Sequence, residues 1–413
     1  MEDIGSRAEL SADVAILGGG ASGALLAIHL LRAASSPLRI VLLERKEKLG
    51  RGWAYGTRWP VHRLNVPAVR MGALLEKPDD FCEWLVVRGV ELAVRPGDFV
   101  PRRLFGQYLE DRLNDAERAA SQRGVLLSRV REEAVNLVPL VSGNLVRLQN
   151  GETISARYVV FATGLLPPAP LPGCEACPAS LYLGNPWLAW DEYKEIARRE
   201  RVLAVGTGLT FLDAINVLAF LGFKGMVYGV SPRRLLPEPY IYKEEMPPRA
   251  QTISSFASVR ALTRQFREAV SAGTEAQDWV QAFRPLVPGV WQRLSLEEKA
   301  RFMRHVRPFW NSLRHRCPPE DLALLKNWMA NGKCQLVAAR LRGLKPCRDR
   351  VEALLELPGG KKSRCLLIPS STAQARGLCG KTPGNLSGMF CSSEAWPRPV
   401  RWAWGSRRGL WAN

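Results

Sequence analysis

The hydrophobic pattern changes period several times along the chain. Val14-Ala-Ile-Leu17 is an unbroken apolar run with β-branched members, the mark of a buried strand, and it ends on Gly18-Gly-Gly20-Ala-Ser-Gly23. Helical spacing follows over 24–34, and a second buried run, Ile40-Val-Leu-Leu43, closes on Glu44. This order predicts a dinucleotide site. Glycines at 18, 20 and 23 let backbone approach a pyrophosphate, the helix N-terminus faces the anion, and Glu44 stands at the spacing of a ribose hydroxyl acceptor.

Residues 78–93 and 101–120 return to helical spacing, with Phe81, Trp84 and Leu85 on one apolar face and Leu104, Tyr108 and Leu113 on another. From 125 to 163 the period shortens to strands at Val125, Ala134, Asn144 and Tyr158, with Asn150-Gly151 as a hairpin turn. That predicts an antiparallel insertion returning to a buried strand ending at Ala162-Thr163-Gly164. The Pro- and Gly-rich stretch 165–178 reads as a domain boundary.

A second strand, turn and helix begins at Arg201-Val-Leu-Ala-Val205-Gly206-Thr-Gly208, with Phe211 where a third glycine would stand. Its next strand, 226–230, is followed by Ser231-Pro-Arg233-Arg234 instead of a carboxylate. A hydroxyl and two guanidinium groups there suit a ribose bearing a 2′-phosphate, hence NADPH; a basic loop after any strand has the same composition. Residues 238–332 are mainly helical, with Ser295-Leu-Glu-Glu298 as a capping box, and 334–357 return to strand spacing before Pro358-Gly-Gly. The fold class predicted is α/β, with two Rossmann-like domains for FAD and NAD(P), an antiparallel β insertion and a helical segment. The expected domains are 10–185 and 186–366, the latter with an insert at about 238–332, followed by an irregular tail over 367–413.

Composition narrows the function. The 413 residues carry 58 Lys and Arg against 39 Asp and Glu, a formal charge of +19 that invites a nucleic-acid reading. The body lacks the basic and aromatic interleaving of a single-strand binder, and much of the excess lies after residue 360, so no nucleic-acid partner is expected. No apolar run approaches the ~20 residues of a membrane span, and Met1-Glu-Asp-Ile lacks a basic leader, so a cytoplasmic protein with no membrane partner is expected. Its nine cysteines are then reduced thiols, and Cys174-x-x-Cys177 reads as a plain loop. His305 and His315 have no partner at catalytic or metal spacing, so no metal site is expected and no catalytic residue is assigned. That absence of acid, base or nucleophile sets suits an enzyme whose cofactor does the chemistry.

Further motifs are Gly50-Arg51-Gly-Trp-Ala-Tyr-Gly56-Thr57, Leu64-Asn65-Val-Pro67-Ala-x-Arg-Met71, Phe99-Val-Pro-Arg-Arg103 and Gly206-Thr-Gly208-Leu-Thr-x-x-Asp213. With the first glycine turn and Ala162-Thr163-Gly164, they resemble flavoproteins of the FAD-dependent urate hydroxylase and aspartate N-monooxygenase type, over about 20–360. The resemblance implies FAD at 14–44, a loop near the flavin over 50–71 that includes Arg51 and Asn65, and a strand passing the cofactor at Thr163 and Gly164. It places the nicotinamide dinucleotide at 201–234. It also implies a cycle in which NADPH reduces FAD and oxygen forms a flavin hydroperoxide that hydroxylates a small polar substrate. Alternatives are a flavin reductase or oxidase without hydroxylation, and a non-catalytic remnant. Oligomeric state and substrate identity stay open.

The tail stands apart. Residues 361–413 hold nine Lys and Arg, one acid, four Trp and three Cys with no sustained period. The resembled family has Asn-Cys-Thr-Gly-Pro near this point, and this chain has none. Codons for Ser371-Thr-Ala-Gln-Ala-Arg376, read from the third base of Ser370, allow Ile-Asn-Cys-Thr-Gly-Pro. The same offset at Glu394–Pro397 and Arg401–Gly405 allows further family-like segments in order. A change of reading frame between about 359 and 368 is therefore expected, with an unusual basic tail as the alternative.

Overall fold

The computed structural model describes residues 9–90, 95, 97–187, 191–244, 258–347, 350–360, 362–367 and 389–391. Most of the tail lies outside them, as do positions 361 and 368 of the window for the change of frame.

The first sheet is built from β1 (Glu9–Leu17), β2 (Leu38–Leu43), β3 (Val125–Val130), β4 (Ala134–Leu140), β5 (Gly143–Leu148) and β6 (Thr153–Phe161), in the order β3-β2-β1-β6-β5-β4. β1 pairs in parallel with β2 and with β6, and β3 extends the parallel set beyond β2. Val125–Val130 is thus a parallel edge strand, and the antiparallel insertion is β4 and β5 alone. β5 and β6 are joined through the Asn150-Gly151 turn, where Gly151 has φ of 87°.

The unbroken β1 run follows from burial on both faces. Val14 and Ile16 pack with Ile28, Leu31, Leu109 and Leu113 from α1 (Ala21–Ala33) and α3 (Arg102–Ser121), while Ala15 and Leu17 pack with Val146, Leu148 and Ile154 beneath. α2 (Asp80–Val87) closes the first layer through Phe81, whose ring lies 5.1 Å from Phe105 and 5.0 Å from Tyr108. α1 starts at Ala21, three residues before its apolar spacing, because Gly20 already takes extended N-cap geometry. The far end of β6 departs from the buried strand expected of it: Tyr158 and Phe161 are 54% and 64% exposed.

The second sheet has the order β13-β7-β8-β9, all parallel: β7 (Arg201–Val205), β8 (Met226–Ser231), β9 (Cys334–Ala338) and the short β13 (Met389–Cys391). Its helices are α4 (Glu192–Ala197), α5 (Leu209–Phe220) and α11 (Pro319–Ala330), the last two packed through Ile215, Leu218 and Leu325. β10 (Arg340–Cys347), β11 (Arg350–Glu356) and β12 (Lys362–Leu367) form a third, antiparallel sheet, with Gly359 and Gly360 both at positive φ in the intervening turn. β10 lies within the 334–357 stretch of strand spacing, and its register shifts between Leu341 and Gly343. The three residues of β13 are ordered structure within a stretch expected to be irregular.

Five helices make the insert: α6 (Val259–Ser271), α7 (Ala276–Phe283), α8 (Val287–Arg293), α9 (Leu296–Arg301) and α10 (Arg307–Arg314), the last two joined by a π-helical turn at Phe302–Val306. The capping box at 295–298 forms only half. Ser295 Oγ accepts from the Glu298 amide at 3.2 Å, but the Glu298 carboxylate accepts from the Val259 amide at 2.6 Å and so caps α6.

Candidate functional site

Three segments converge at the carboxyl ends of β1, β2 and β6, where open α/β sheets take their ligands. The glycine turn is stitched to the 50-loop by Gly50 N–H donating to the Gly19 carbonyl at 2.8 Å, and to β6 by Ala162 N–H donating to the Leu17 carbonyl at 2.8 Å. Glu44 sits over the turn, its carboxylate accepting from the amides of Gly19 at 3.0 Å and Lys46 at 3.1 Å.

The glycines of the motif divide by what surrounds them. Gly18 has φ of 113°, and a Cβ there would meet the Ala162 carbonyl oxygen at 2.3 Å. At Gly23 a Cβ would lie 1.8 Å from the Gly18 oxygen. Both are glycine because protein backbone occupies the space. Gly20 differs: a Cβ there meets only the backbone of Gly52, at 3.4 Å, and one on Gly52 meets Gly20 Cα at 3.5 Å. The two face each other across a slot that two side chains would fill. Gly20 is also the N-cap of α1, which has neither a side-chain cap nor an acid in its first turn. Its leading amides and dipole are left for an anion.

The other predicted residues take different places. Arg51 is held by Glu110, with Nη2 donating at 2.6 Å, and is 19% exposed. Asn65 is half-buried in a loop whose neighbours pair with 98–102, as Leu64 N–H donates to the Val100 carbonyl at 2.9 Å. Thr163 and Gly164 are exposed beyond β6, beside the Gly18 turn.

The second turn repeats the first in part. Gly206 has φ of 101°, and Gly208 is the N-cap of α5, again without a side-chain cap or an acid in the first turn. Thr207 Oγ1 lies 2.9 Å from Ser231 Oγ and donates to the Leu235 carbonyl at 2.5 Å, so the hydroxyl of Ser231 is tied to the turn. Arg233 and Arg234 are exposed, and no carboxylate among the described residues pairs with either. Arg234 is the one non-glycine described at positive φ, 52°. Such backbone costs energy and clusters at functional turns.

Between the sheets lies a buried polar network whose joint role the sequence did not reveal. Arg102, at the start of α3, donates to both carboxylate oxygens of Asp213 on α5, at 2.9 and 3.0 Å, and to the Arg63 carbonyl at 2.5 Å. Its guanidinium lies 5.0 Å from the Trp187 ring centroid, and Arg63 pairs with Asp321 of α11 at 2.5 Å. His62 is 2% exposed, bonded through Nδ1 to Thr57 Oγ1 at 2.8 Å, and its Nε2 has no hydrogen-bond partner among the described residues. Burial holds the His62 imidazole down at about 4.

That shift fixes a pH dependence. Unfolded His62 takes a proton below about 6.5 while the folded side chain does not, so its contribution is complete above that pH and is lost as pH falls toward 4. The full span is worth about 3 kcal/mol. Denaturation of the parent is expected to weaken more between pH 6.5 and 4.5 than that of His62→Gln. Asp321, whose carboxyl burial raises to about 6, is common to both and drops out of the difference. Identical slopes would show that His62 is not buried neutral.

Cys174 and Cys177 are free thiols flanking one helical turn, and burial pushes the Cys177 thiol up. Among the described residues no three His, Cys, Asp or Glu side chains group as a metal site, and no helix is long and apolar enough to cross a membrane.

Residues 15–166 match the family model described as FAD-NAD(P)-binding. No curated protein matches the chain in sequence. Among solved structures, the ornithine N-hydroxylase of Kutzneria sp. 744, with reduced FAD, NADP+ and L-ornithine, superposes with a TM-score of 0.55 at 18% identity, over 92% of this chain and 80% of that one. L-lysine 6-monooxygenase from Pseudomonas syringae gives 0.55 at 13% identity, over 92% and 80%. Reduced ornithine hydroxylase from Pseudomonas aeruginosa gives 0.53 at 14% identity, over 95% and 84%. The fold is that of flavoenzymes with two dinucleotide-binding domains.

Proposed function

We propose that this chain is an FAD-dependent, NADPH-using oxidoreductase of monooxygenase type, acting with dioxygen on a small polar substrate. The observation that carries the reading is the space beside Gly20 at the uncapped N-terminus of α1: a Cβ on Gly20 would meet nothing closer than Gly52 Cα at 3.4 Å, so no protein atom requires glycine there, and the space suits a pyrophosphate. The family match over 15–166 supports FAD there. The related folds act on ornithine and lysine, which makes small amines the first substrates to assay.

Bound FAD would supply hydride acceptance from NADPH and activation of oxygen. The protein's part is to bind and orient. Gly18, Gly20 and Gly23 shape the turn that receives the pyrophosphate, and Glu44 would accept from a ribose hydroxyl. The 50–71 loop with Arg51 and Asn65, and Thr163 with Gly164, would border the rest of the cofactor. Gly206 and Gly208 open the second site, where Ser231, Arg233 and Arg234 would hold a 2′-phosphate by charge-assisted bonds. The visible spectrum of the purified protein, then NADPH consumption with and without ornithine, lysine and aspartate, tests the reading. A flavin spectrum with NADPH oxidation that no substrate couples to hydroxylation would favour the reductase or oxidase alternative.

Two variants examine the sites separately. With FAD added, Gly20→Val is expected to bind it at least about tenfold more weakly than the parent while keeping its fold, whereas Gly23→Ala is expected to unfold, since its Cβ has no room. Unchanged affinity for FAD in Gly20→Val would overturn the assignment of this turn. Replacing both Arg233 and Arg234 with Ala is expected to raise the Kd for NADPH by more than about tenfold and to leave NADH nearly unchanged. Equal losses for both coenzymes would make these arginines structural.

A further inference from the structure

A cavity in the helical insert belongs to neither glycine turn. It encloses about 960 Å³ within the helical insert, and every residue lining it falls between Leu235 and Leu313. Six aromatic rings form a continuous wall: Phe266 lies 5.3 Å from Trp279, Trp279 4.8 Å from Phe283, Phe283 6.1 Å from Trp310, Trp310 6.4 Å from Phe302, and Phe302 5.6 Å from Trp291. Of these six rings only Phe283 is fully buried. Neighbouring rings of this wall are as close as those of the packed Phe81, Phe105 and Tyr108 cluster beside α3, but the wall borders a space at the upper end of the roughly 300–1,000 Å³ that ligand pockets occupy.

The wall has a second unusual feature. Phe302, His305 and Val306 line the cavity from the π-helical turn between α9 and α10. Such turns widen a helix at a cost in hydrogen-bond geometry and recur at functional sites. The rim is cationic. Arg260, Arg267 and Arg301 line the cavity against a single carboxylate, Glu238, and among the described residues only Arg301 of the three pairs with an acid, Glu298. Arg314 and His315 follow the lining residue Leu313 in the chain, and burial, then neighbouring arginines, holds both below their ordinary values.

We propose that this cavity is a binding site for an aromatic carboxylic acid, its ring system against the aromatic wall and its carboxylate at the Arg260 and Arg267 rim. No described residue of 14–166 lines the cavity, but it adjoins the proposed 2′-phosphate loop, since Leu235 lines it and Arg233 lies 5.7 Å from the ring centroid of Phe309 in its wall. The site stands or falls independently of the monooxygenase reading.

The test is calorimetric titration of the full chain with 1-naphthaleneacetate and with its uncharged counterpart 1-naphthaleneethanol, without NADPH. The acid is expected to bind once per chain with a Kd of about 10–100 μM, and at least about fivefold more tightly than the alcohol. Thr263→Trp places a ring into the cavity and is expected to weaken both by at least about tenfold. Arg267→Glu, on an exposed position, is expected to bring the acid to the affinity of the alcohol and leave the alcohol unchanged; it decides the matter if Thr263→Trp fails to fold. Absence of saturable binding by the acid, equal affinities in the parent, unchanged binding to folded Thr263→Trp, or unchanged preference in Arg267→Glu would each overturn the proposal.

Discussion

Asp213→Ala is expected to destabilise the protein by about 3–5 kcal/mol. The substitution removes a carboxylate that is 6% exposed and leaves the Arg102 guanidinium, 10% exposed, without its bidentate partner. Water cannot replace the lost bonds at that depth, and the remaining contacts, the Arg63 carbonyl and the Trp187 ring, do not neutralise a full charge. Replacing both members, Arg102→Leu with Asp213→Leu, is expected to recover much of the loss, since it also removes the desolvation penalty. Urea denaturation of the four proteins of the cycle measures this. Additive losses in the double variant would mean the pair is not coupled. Because Arg102 starts α3 under the first sheet and Asp213 lies on α5 over the second, the pair also fixes how the two dinucleotide-binding units meet. The single variants are expected to loosen that junction before either core unfolds.

What the sequence disclosed follows the range of its signals. β1, the glycine turn, α1 and β2 are consecutive, so their periods and punctuation lie within one window, and the same holds for β7, α5 and β8. The faces Phe81-Trp84-Leu85 and Leu104-Tyr108-Leu113 are buried as their helical spacing requires. The motif residues Arg102 and Asp213 were visible, but their pairing joins positions 111 apart, and no local pattern encodes such a contact. His62 looked like one more residue of a loop. Its burial comes from Trp187 and α3, both far along the chain. The aromatics of 266–310 have the spacing of ordinary core residues, and only their arrangement in space reveals a cavity instead of a packed centre.

Restoring the reading frame by one base after about residue 367 is expected to change flavin content more than any point substitution here. We propose that the chain departs from its native sequence at that point. The antiparallel ladder of the third sheet continues through β12 as far as Leu367, opposite Val351, so a break within the 359–368 window would fall at or just before the end of this ladder. Beyond it the composition turns to one acid among six bases with four Trp. The first sheet carries a matching sign: Phe161, Leu165 and Leu166 are 64%, 76% and 66% exposed directly after β6, beside the Gly18 turn. Contiguous exposed apolar residues of this kind mark a surface built to be covered. A segment returning from the third sheet to the first would cover it and complete the border of the flavin site. Resequencing the coding DNA and expressing the one-base correction gives the comparison. The corrected protein is expected to purify yellow, with near-stoichiometric FAD and less association, and the 413-residue chain with little. An immediate stop codon in the shifted frame, or full flavin occupancy of the 413-residue chain, would refute the proposal.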